Sequence, residues 1–303
     1  MLRSLLLFLS ERDTPKQWLL RSSLGRKLAA RFIAGEELDD AMRVVRRLNE
    51  EGFESTLDYL GESVHEAAAA EEACRVYLSL LDRIASERLR SHISIKLTQL
   101  GLEIDEGLAQ RNLEALWKRA ARYGTFVRID MESSAHTDAT LRIFHAAGAP
   151  RDVLGIVIQS YLYRSEQDVE ELLKCGARIR LCKGAYNEPP SVAFPRKADV
   201  DGNYIRLMEK MLASGLYHAI ATHDPKIIRA TQDFAHAHRL GPERFEFQML
   251  YGIRRRLQRE LLRQGYRVRV YVPFGHQWYA YFMRRLAERP ANLLFLMRNL
   301  IRG

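Results

Sequence analysis

Short runs rich in β-branched and aromatic residues alternate along the chain with stretches in which apolar residues recur at helical spacing. A weak first run covers 52–57. Seven stronger runs follow, at 92–98, 125–130, 155–160, 178–183, 218–223, 245–250 and 268–272. Helical periodicity separates them, for example in 112–122 and 225–238. This alternation is typical of a parallel sheet with helices between its strands, and eight such units close into a (β/α)8 barrel.

A doubly wound open sheet is the competing fold. That fold usually carries a glycine-rich phosphate-binding turn after its first strand, and neither GxGxxG nor GxxxxGK[ST] occurs in the sequence. The pattern therefore favours a single α/β domain over 1–303, with a helical segment at 1–50 and the barrel at 51–303. The opening residues, MLRSLLLFLS, are too short an apolar run for a signal peptide or a membrane span, and we interpret them as the start of an amphipathic helix.

Composition narrows the class of protein. Hydrophobic residues make up 47% of the chain and charged residues 28%, which is ordinary for a globular domain. The three cysteines show no CxxC and no metal-ligand spacing, so we expect a cytoplasmic protein without a disulfide framework. His65 and Glu66 begin no HExxH motif, and no metal site is predicted.

The net charge of +9 is concentrated most densely at Arg254–Arg256, with Arg259 and Arg263 close behind. Leucines interleave these arginines, so we predict an amphipathic helix with a basic face. The ordinary interpretation of such a charge run is a solvated face. No nucleic-acid-binding motif accompanies it, and nucleic acid is not an expected partner.

Polar residues stand at or near the carboxyl end of seven of the predicted strands. They are Lys96, Asp130, Gln159, Lys183, Thr222, His223, Gln248 and Tyr271. Barrel enzymes carry their chemistry at the carboxyl ends of the strands, where the following loops begin. The regular placement predicts a functional site there, although it names no reaction.

Two of these residues leave alternatives open. Lys96 points to the face opposite Ile95 and Leu97, where a buried ammonium must be either paired or functional, as a Schiff-base nucleophile or a carboxylate ligand. Asp130 follows Arg128 by two positions, so the two side chains either form an ion pair inside the barrel or serve catalysis.

The segment 178–186, RIRLCKGAY, is the best candidate for binding an anion. Arg180 and Lys183 flank the end of a strand, and Gly184 permits close approach of the backbone, although a plain strand and loop would also explain the pattern. His223 precedes Asp224, which we predict to cap the next helix. His223 there either donates to an anionic ligand or satisfies a backbone group.

A second cationic group lies near the C-terminus. Tyr281, Arg284, Arg285 and Glu288 share one face of a predicted helix, and an apolar stripe on another face would pack on the body of the protein. Two adjacent arginines are suited to hold a carboxylate, whereas the alternative is an exposed helix face of Arg and Glu.

Eight blocks together resemble the proline dehydrogenase family, in that family's order. They are SIKLTQLG (94–101), RIDME (128–132), IVIQSYL (156–162), RLCKGAYNEPP (180–190), ATHD (221–224), FEFQMLYGI (245–253), VYVPFG (270–275) and YFMRRLAERPAN (281–292). The similarity is strongest to the small bacterial single-function members. It implies a distorted (β/α)8 barrel with extra N-terminal helices and a C-terminal helix over the active site.

The resemblance also implies an activity. FAD, bound noncovalently, would oxidise L-proline to Δ1-pyrroline-5-carboxylate, the first step of proline catabolism to glutamate. Hydride would pass from proline C5 to flavin N5, with the amine unprotonated. Electrons would then pass to a membrane quinone, and a separate pyrroline-5-carboxylate dehydrogenase would receive the product. The basic helix would serve as a weak peripheral membrane contact at the inner face of the membrane.

Site residues follow from the matched positions. The resemblance assigns the substrate carboxylate to Lys96, Arg284 and Arg285, and the ring pocket to Tyr186 and Tyr271, while Tyr281 joins this set because it shares the helix face of the arginines. The positions implied to contact or support FAD are Asp130, Met131, Gln159, Arg180, Lys183, Gly184, Ala185, Thr222 and His223. Asp130 and Arg180 are the predicted catalytic pair, and Glu62 is implied to pair with Arg284 when the site closes.

One position departs from the family pattern, and two rival functions also fit the residues. Asn187 follows Tyr186, where the larger bifunctional members carry Trp, so packing at the flavin edge is expected to differ. The rival enzyme is a Schiff-base aldolase or lyase on the same barrel, with Lys96 or Lys183 as nucleophile. The non-enzymatic rival is a basic protein that binds nucleic acid or lipid.

Overall fold

Eight strands pair side by side, all in parallel, and the last pairs with the first to close a barrel. The computed structural model describes residues 30–279 and 281–283. The strands are β1 (Glu54–Tyr59), β2 (Ser91–Ile95), β3 (Val127–Ile129), β4 (Leu154–Gln159), β5 (Ile179–Cys182), β6 (His218–Ala221), β7 (Phe245–Leu250) and β8 (Arg267–Phe274). The predicted (β/α)8 barrel is confirmed, and the open-sheet alternative is wrong.

A helix follows each of the first seven strands, and within the described residues a further helix precedes the barrel. The helices are α1 (Leu38–Glu50), α2 (Ala67–Ser86), α3 (Glu106–Arg122), α4 (Ser134–Ala146), α5 (Ser165–Lys174), α6 (Lys197–Ala213), α7 (Pro225–Ala237) and α8 (Arg255–Arg263). Helical backbone resumes after β8, at 278–279 and 281–283. Helix α1 packs on β1 and β8, where the barrel closes.

Each predicted strand run overlaps one of the observed strands, in most cases with shifted ends. The first strand runs two residues beyond its predicted end, to Tyr59, and the third is only three residues long. The predicted basic helix is present as α8, with Leu261 buried beneath it. The helix proposed for the opening residues and the helix face after Met283 lie outside the described residues. The assignment of 1–303 to a single domain stays a prediction.

Strand residues alternate between two environments along most of the barrel. Apolar side chains at every second position join the helices in one continuous core: Leu57, Ile93, Ile95, Val127, Ile129, Ile156, Ile158, Ile179, Leu181, Ile220, Phe247, Met249, Val268, Val270 and Val272. The same core includes Val45 of α1, Leu81 of α2 and Leu116 of α3. The apolar core therefore lies between the sheet and the surrounding helices.

The intervening positions point into the barrel and are mostly polar. Hydrogen bonds between strands that are not neighbours show this directly. The Arg180 guanidinium of β5 donates to the Ser94 hydroxyl of β2 at 3.1 Å. The Tyr271 hydroxyl of β8 donates to Asp130, which follows β3, at 2.8 Å. Because these groups are buried, each must find its hydrogen-bond partner inside the barrel.

Glycine is required at one point of this interior. Arg128 is 2% exposed, and its guanidinium lies 4.7 Å from the centre of the Phe126 ring and donates to the Ile156 carbonyl at 3.2 Å. A Cβ at Gly155 would lie 2.6 Å from the Arg128 guanidinium and 2.5 Å from both the Phe126 ring and the Arg178 carbonyl. The buried arginine thus occupies the space that any other residue at position 155 would fill.

Gly155→Ala is therefore expected to destabilise the protein by about 1–3 kcal/mol, because overpacking forces side chains and backbone apart. Gly202 in α6 is the matched control, since a Cβ there meets nothing within 4 Å. Gly202→Ala should leave stability unchanged or raise it by up to about 1 kcal/mol. Urea unfolding of both variants measures the difference. Equal stability of the two variants would contradict the packing described for Arg128.

Candidate active site

Lys96 lies directly after β2, at the carboxyl-terminal mouth of the barrel, and is paired. Its ammonium lies 3.3 Å from the Asp58 carboxylate, with the lysine side chain 12% exposed and the aspartate 2%. Burial, the largest single influence, lowers the pKa of Lys96, but the negative charges of Asp58, Asp130 and two nearby glutamates together outweigh it and the pKa is raised. The lysine therefore stays a cation at neutral pH, a form that binds a carboxylate well.

The same observation weighs against the Schiff-base lyase. A lysine that attacks a carbonyl must lose its proton, and such lysines are activated by a lowered pKa. The pKa of Lys96 moves in the opposite direction because Asp58 and, more weakly, Asp130 stabilise the charged form. The Schiff-base alternative is not favoured for this residue.

Asp130 and Arg180 form a buried ion pair across the barrel. The guanidinium donates to Oδ1 of Asp130, and the Tyr271 hydroxyl donates to Oδ2 at 2.8 Å. The arginine also lies over the Tyr271 ring, 5.3 Å from its centre. Burial and then the Asp130 charge raise the pKa of Tyr271 well above its usual range, so its hydroxyl remains a donor. Three residues predicted for the site thus form one unit.

This unit corrects one prediction. Arg128 and Asp130, two positions apart, do not form the ion pair considered from the sequence. The Arg128 guanidinium instead donates to the carbonyls of Ile156 and Arg178, lower in the barrel. Spacing of two residues places both side chains inside the barrel, but it also places them in different layers along the barrel axis.

Below the pair, hydrogen bonds continue towards the amino-terminal end of the barrel. The Arg180 guanidinium donates to Gln248 at 3.2 Å, and the Gln248 amide donates to Glu246 at 2.6 Å. The Arg269 Nε donates to both oxygens of Glu246 at 3.0 Å, and its other nitrogens reach the Ser55 carbonyl and Glu54. Every charge in this column faces an opposite charge.

A second cluster of charges lies where β5 and β6 end. The Lys183 ammonium is 2.8 Å from Asp224 and 2.5 Å from Asp201, and Lys197 of α6 joins the same two carboxylates. Lys183 and Asp224 are about a quarter exposed. Lys183, one of the predicted cofactor ligands, is thus accessible and lies beside the start of helix α7.

The start of α7 follows its sequence prediction. Asp224 caps the helix by accepting from the Lys226 amide at 3.1 Å, and Pro225 occupies the first helical position. The Thr222 hydroxyl accepts from the Asp224 amide at 3.0 Å. His223 Nε2 accepts from the Leu250 amide at 2.9 Å, so this ring nitrogen satisfies a backbone group, one of the two roles considered for it.

The remaining cofactor candidates lie along the same mouth. The Gln159 amide donates to the Glu132 carbonyl at 2.8 Å, and Met131 beside it is buried. Gly184 has a φ of +112°, and a Cβ there would lie 2.3 Å from the Tyr161 ring, so the turn after β5 requires glycine. Ala185 follows it and is exposed.

The structure describes some of the predicted substrate and gating residues but not all of them. Glu62 and Tyr186 lie at the mouth, each half-buried, and Tyr281 is buried in the helical segment after β8. Arg284 and Arg285 lie outside the described residues. The carboxylate clamp and the pairing of Glu62 with Arg284 therefore stay predictions.

Sequence analysis missed three acidic residues of the mouth. Asp58 lay beyond the predicted end of the first strand, and Asp201 lies in α6, the helix that follows the loop after β5. Glu132, which accepts from the Thr98 amide at 3.1 Å and from its hydroxyl, was seen only as part of a block. Extending the alternation of the first strand by two residues would have placed Asp58 inside the barrel.

No cluster of three or more His, Cys, Asp or Glu side chains suited to a metal ion occurs within 30–279 and 281–283. In the same ranges, no helix is both long and apolar enough to cross a membrane.

A closed (β/α)8 barrel with cations and acids gathered at its carboxyl-terminal mouth is the architecture of a barrel enzyme. Its family is shown by comparison with known proteins. The family model described as "Proline dehydrogenase" matches residues 41–298. The chain belongs to the proline dehydrogenase family, a family of oxidoreductases.

Relatives of the same length support this assignment. The chain is 43% identical over 306 residues to "Proline dehydrogenase 1" of Bacillus subtilis subsp. natto, with both chains fully covered. It is 42% identical over 308 residues to "Proline dehydrogenase" of Deinococcus radiodurans, covering 99% of this chain and 98% of the relative.

A longer relative contains the same barrel. The structure of proline utilization A from Bdellovibrio bacteriovorus, inactivated by N-propargylglycine, aligns with a TM-score of 0.81 and 26% identity. The match covers 86% of this chain and 32% of that one, so this chain spans about a third of that longer protein.

The Asp130–Arg180 pair gives a prediction. Asp130→Leu and Arg180→Met each leave one buried charge without its partner, so each should lower the free energy of unfolding by about 3–5 kcal/mol. The double variant removes both charges and should lose much less than the sum. Arg259→Met is the control, since it breaks an exposed pair with Glu51 worth under about 1 kcal/mol. Additive losses in urea unfolding would argue against a coupled pair.

Proposed function

We propose that the protein oxidises L-proline to Δ1-pyrroline-5-carboxylate with FAD, as the first step of proline catabolism to glutamate. The observation that carries the proposal is Lys96, an ammonium kept charged at the barrel mouth of a chain in the proline dehydrogenase family. Its relatives of equal length bear the name proline dehydrogenase. A charged lysine in this position suits an amino acid that presents a carboxylate.

Three cations would receive that carboxylate. Lys96 supplies one, and Asp58 fixes its position from 3.3 Å. Arg284 and Arg285, outside the described residues, would supply a planar fork of donors from the C-terminal helix. Tyr271, Tyr186 and Tyr281 would form walls against the proline ring.

The residues at the ends of β5 and β6 fit FAD by their donor chemistry. A pyrophosphate needs cations and backbone amides, and here Lys183 lies beside the first turn of helix α7, where amides and the helix dipole favour anions. Gly184 allows the backbone to approach closely. The other residues that would hold or support the cofactor are Asp130, Met131, Gln159, Arg180, Ala185, Thr222 and His223.

FAD supplies the two-electron oxidising capacity when bound, and the chain supplies positioning and exclusion of water. Arg180 would present a fixed positive charge, since Asp130 holds it from one side and Gln248 from below. Asp130 has a donor on each oxygen, so it orients Arg180 and Tyr271. Glu62 would pair with Arg284 to close the site over the substrate.

Electrons would leave the reduced cofactor for a membrane quinone, and a separate pyrroline-5-carboxylate dehydrogenase would take up the product. The exposed arginines at the start of α8 support a weak peripheral contact of this cytoplasmic protein with anionic lipid. Helix α8 follows β7, so these arginines lie at the same end of the barrel as the candidate site.

The first test is an absorbance spectrum of the purified protein, repeated after anaerobic addition of L-proline. We expect a flavin spectrum that bleaches with proline. Lys96→Met and Arg285→Ala should each raise the KM for proline by roughly 10- to 100-fold, because each loses a charged hydrogen bond to the carboxylate, while flavin stays bound. An unbleached flavin would reject the substrate, and a protein that takes up no FAD would reject the cofactor.

Membrane contact has its own test. The protein should float with liposomes containing anionic lipid at low salt and be released at high salt. Replacing Arg254, Arg255 and Arg256 by Gln should abolish flotation without affecting proline oxidation. Protein that stays in the soluble fraction at low salt would rule out this contact.

A further inference from the structure

The loop after β5, residues 183–196, carries four residues of the proposed site: Lys183, Gly184, Ala185 and Tyr186. Hydrogen bonds at both ends attach it to the neighbouring loop after β4. The Tyr161 amide donates to the Lys183 carbonyl at 2.9 Å, and the Phe194 amide donates to the Tyr161 carbonyl at 2.8 Å. The middle of the loop, with Tyr186, must be held by contacts of its own.

Glu188 provides a charged contact in that middle. One oxygen of its carboxylate accepts from the Ser134 amide at 2.7 Å, and the other accepts from the Ser134 hydroxyl. Ser134 is the first residue of helix α4. The loop of one βα unit is thereby attached to the helix of another.

The Glu188 carboxylate provides helix α4 with the N-terminal cap that the preceding residue does not supply. The first amides of a helix lack partners within it, and a residue before the helix usually accepts from one of them. Ser133, in that position, makes no such bond, because its hydroxyl pairs with His136 at 3.0 Å. Glu188 caps the helix from a distant segment, where the helix dipole also favours a negative charge.

Tyr161 connects this cap to Tyr186. Its hydroxyl lies 3.5 Å from the Glu188 carboxylate and also interacts with the backbone of Tyr186. The Tyr161 ring packs under Gly184, leaving no room for a Cβ there. The carboxylate and Tyr161 thus form one surface on which the backbone of 184–188 rests.

We propose that Glu188 is a positioning residue: by capping helix α4 it fixes the loop so that Tyr186 contacts the substrate ring. The inference rests on the proposed function for the role of Tyr186, whereas the attachment of the loop does not depend on it. Losing the attachment weakens substrate binding more than the chemical step, because the residues that hold the substrate carboxylate lie on other elements.

Two variants break the contact from opposite sides. Glu188→Ala removes the acceptor. Ser134→Pro removes both donors, and proline is well suited to the first position of a helix after the extended Ser133, whose ψ is 163°. Glu188→Gln keeps the contact, since its amide still accepts from the Ser134 amide and donates to the hydroxyl. Glu209→Ala, at an exposed position in α6, is the matched control.

The flavin-loaded proteins are compared by hydrogen exchange of 183–194 and by proline kinetics. Glu188→Ala and Ser134→Pro should each speed exchange in this loop roughly 10-fold, as expected for loss of a helix cap, and the double variant should exchange no faster. KM for proline should rise roughly 10-fold with kcat changed less than about 3-fold, and Glu188→Gln and Glu209→Ala should match the unmodified protein.

Additive effects of the two substitutions on exchange, or unchanged exchange in Glu188→Ala, would overturn the attachment. Faster exchange with unchanged KM would overturn the positioning role. Failure of proline to reduce flavin in the unmodified protein would refute the proposed function instead, and the exchange data would still decide whether Glu188 holds the loop.

Discussion

The ion pair between Asp130 and Arg180 is the interaction on which the candidate site depends. A charge inside a barrel has lost its water, so it is tolerated where an opposite charge or hydrogen bonds replace the lost solvation. The pair meets this condition with Tyr271 above and Gln248 below. From Gln248 the same logic extends through Glu246 to Arg269, which Glu54 also neutralises. The interior of this barrel is therefore a fixed column of charges.

The need for a partner distinguishes the charges in the barrel interior from those at the mouth. In the interior each charge is committed to a protein partner, whereas at the mouth Lys96 and Lys183 keep partial access to solvent. A ligand with negative charge gains most from such cations, since their protein partners already hold them in place and little side-chain freedom remains to be lost. The buried column of charges forms a rigid base beneath the candidate site, and the mouth is the surface that remains available for binding. The apolar face of the same strands supplies the packing energy separately.

Much of this arrangement was predictable from the sequence, and the unpredicted part has a definite cause. Alternation with period two gave the strands and the face of each residue, and polar residues at strand ends located the site. The pairing of side chains was not predictable, because periodicity does not show which residues meet across a closed barrel. Arg180 is fifty positions from Asp130, while Arg128, only two away, turns to backbone carbonyls. In the same way, periodicity did not show that Lys96 pairs with Asp58.

Contacts between distant segments also explain how loops on a rigid barrel are placed. Asp224 caps the helix that it precedes, so its signal in the sequence is local and the predicted cap is confirmed. Glu188 caps helix α4 from fifty-four positions away, and no local pattern marks it. The first kind of cap ends a loop, whereas the second ties two βα units together at the mouth. The barrel fixes where each loop begins and ends, but not the course of the loop between those points. A site built from several loops therefore requires contacts of the second kind to hold its side chains in fixed relative positions.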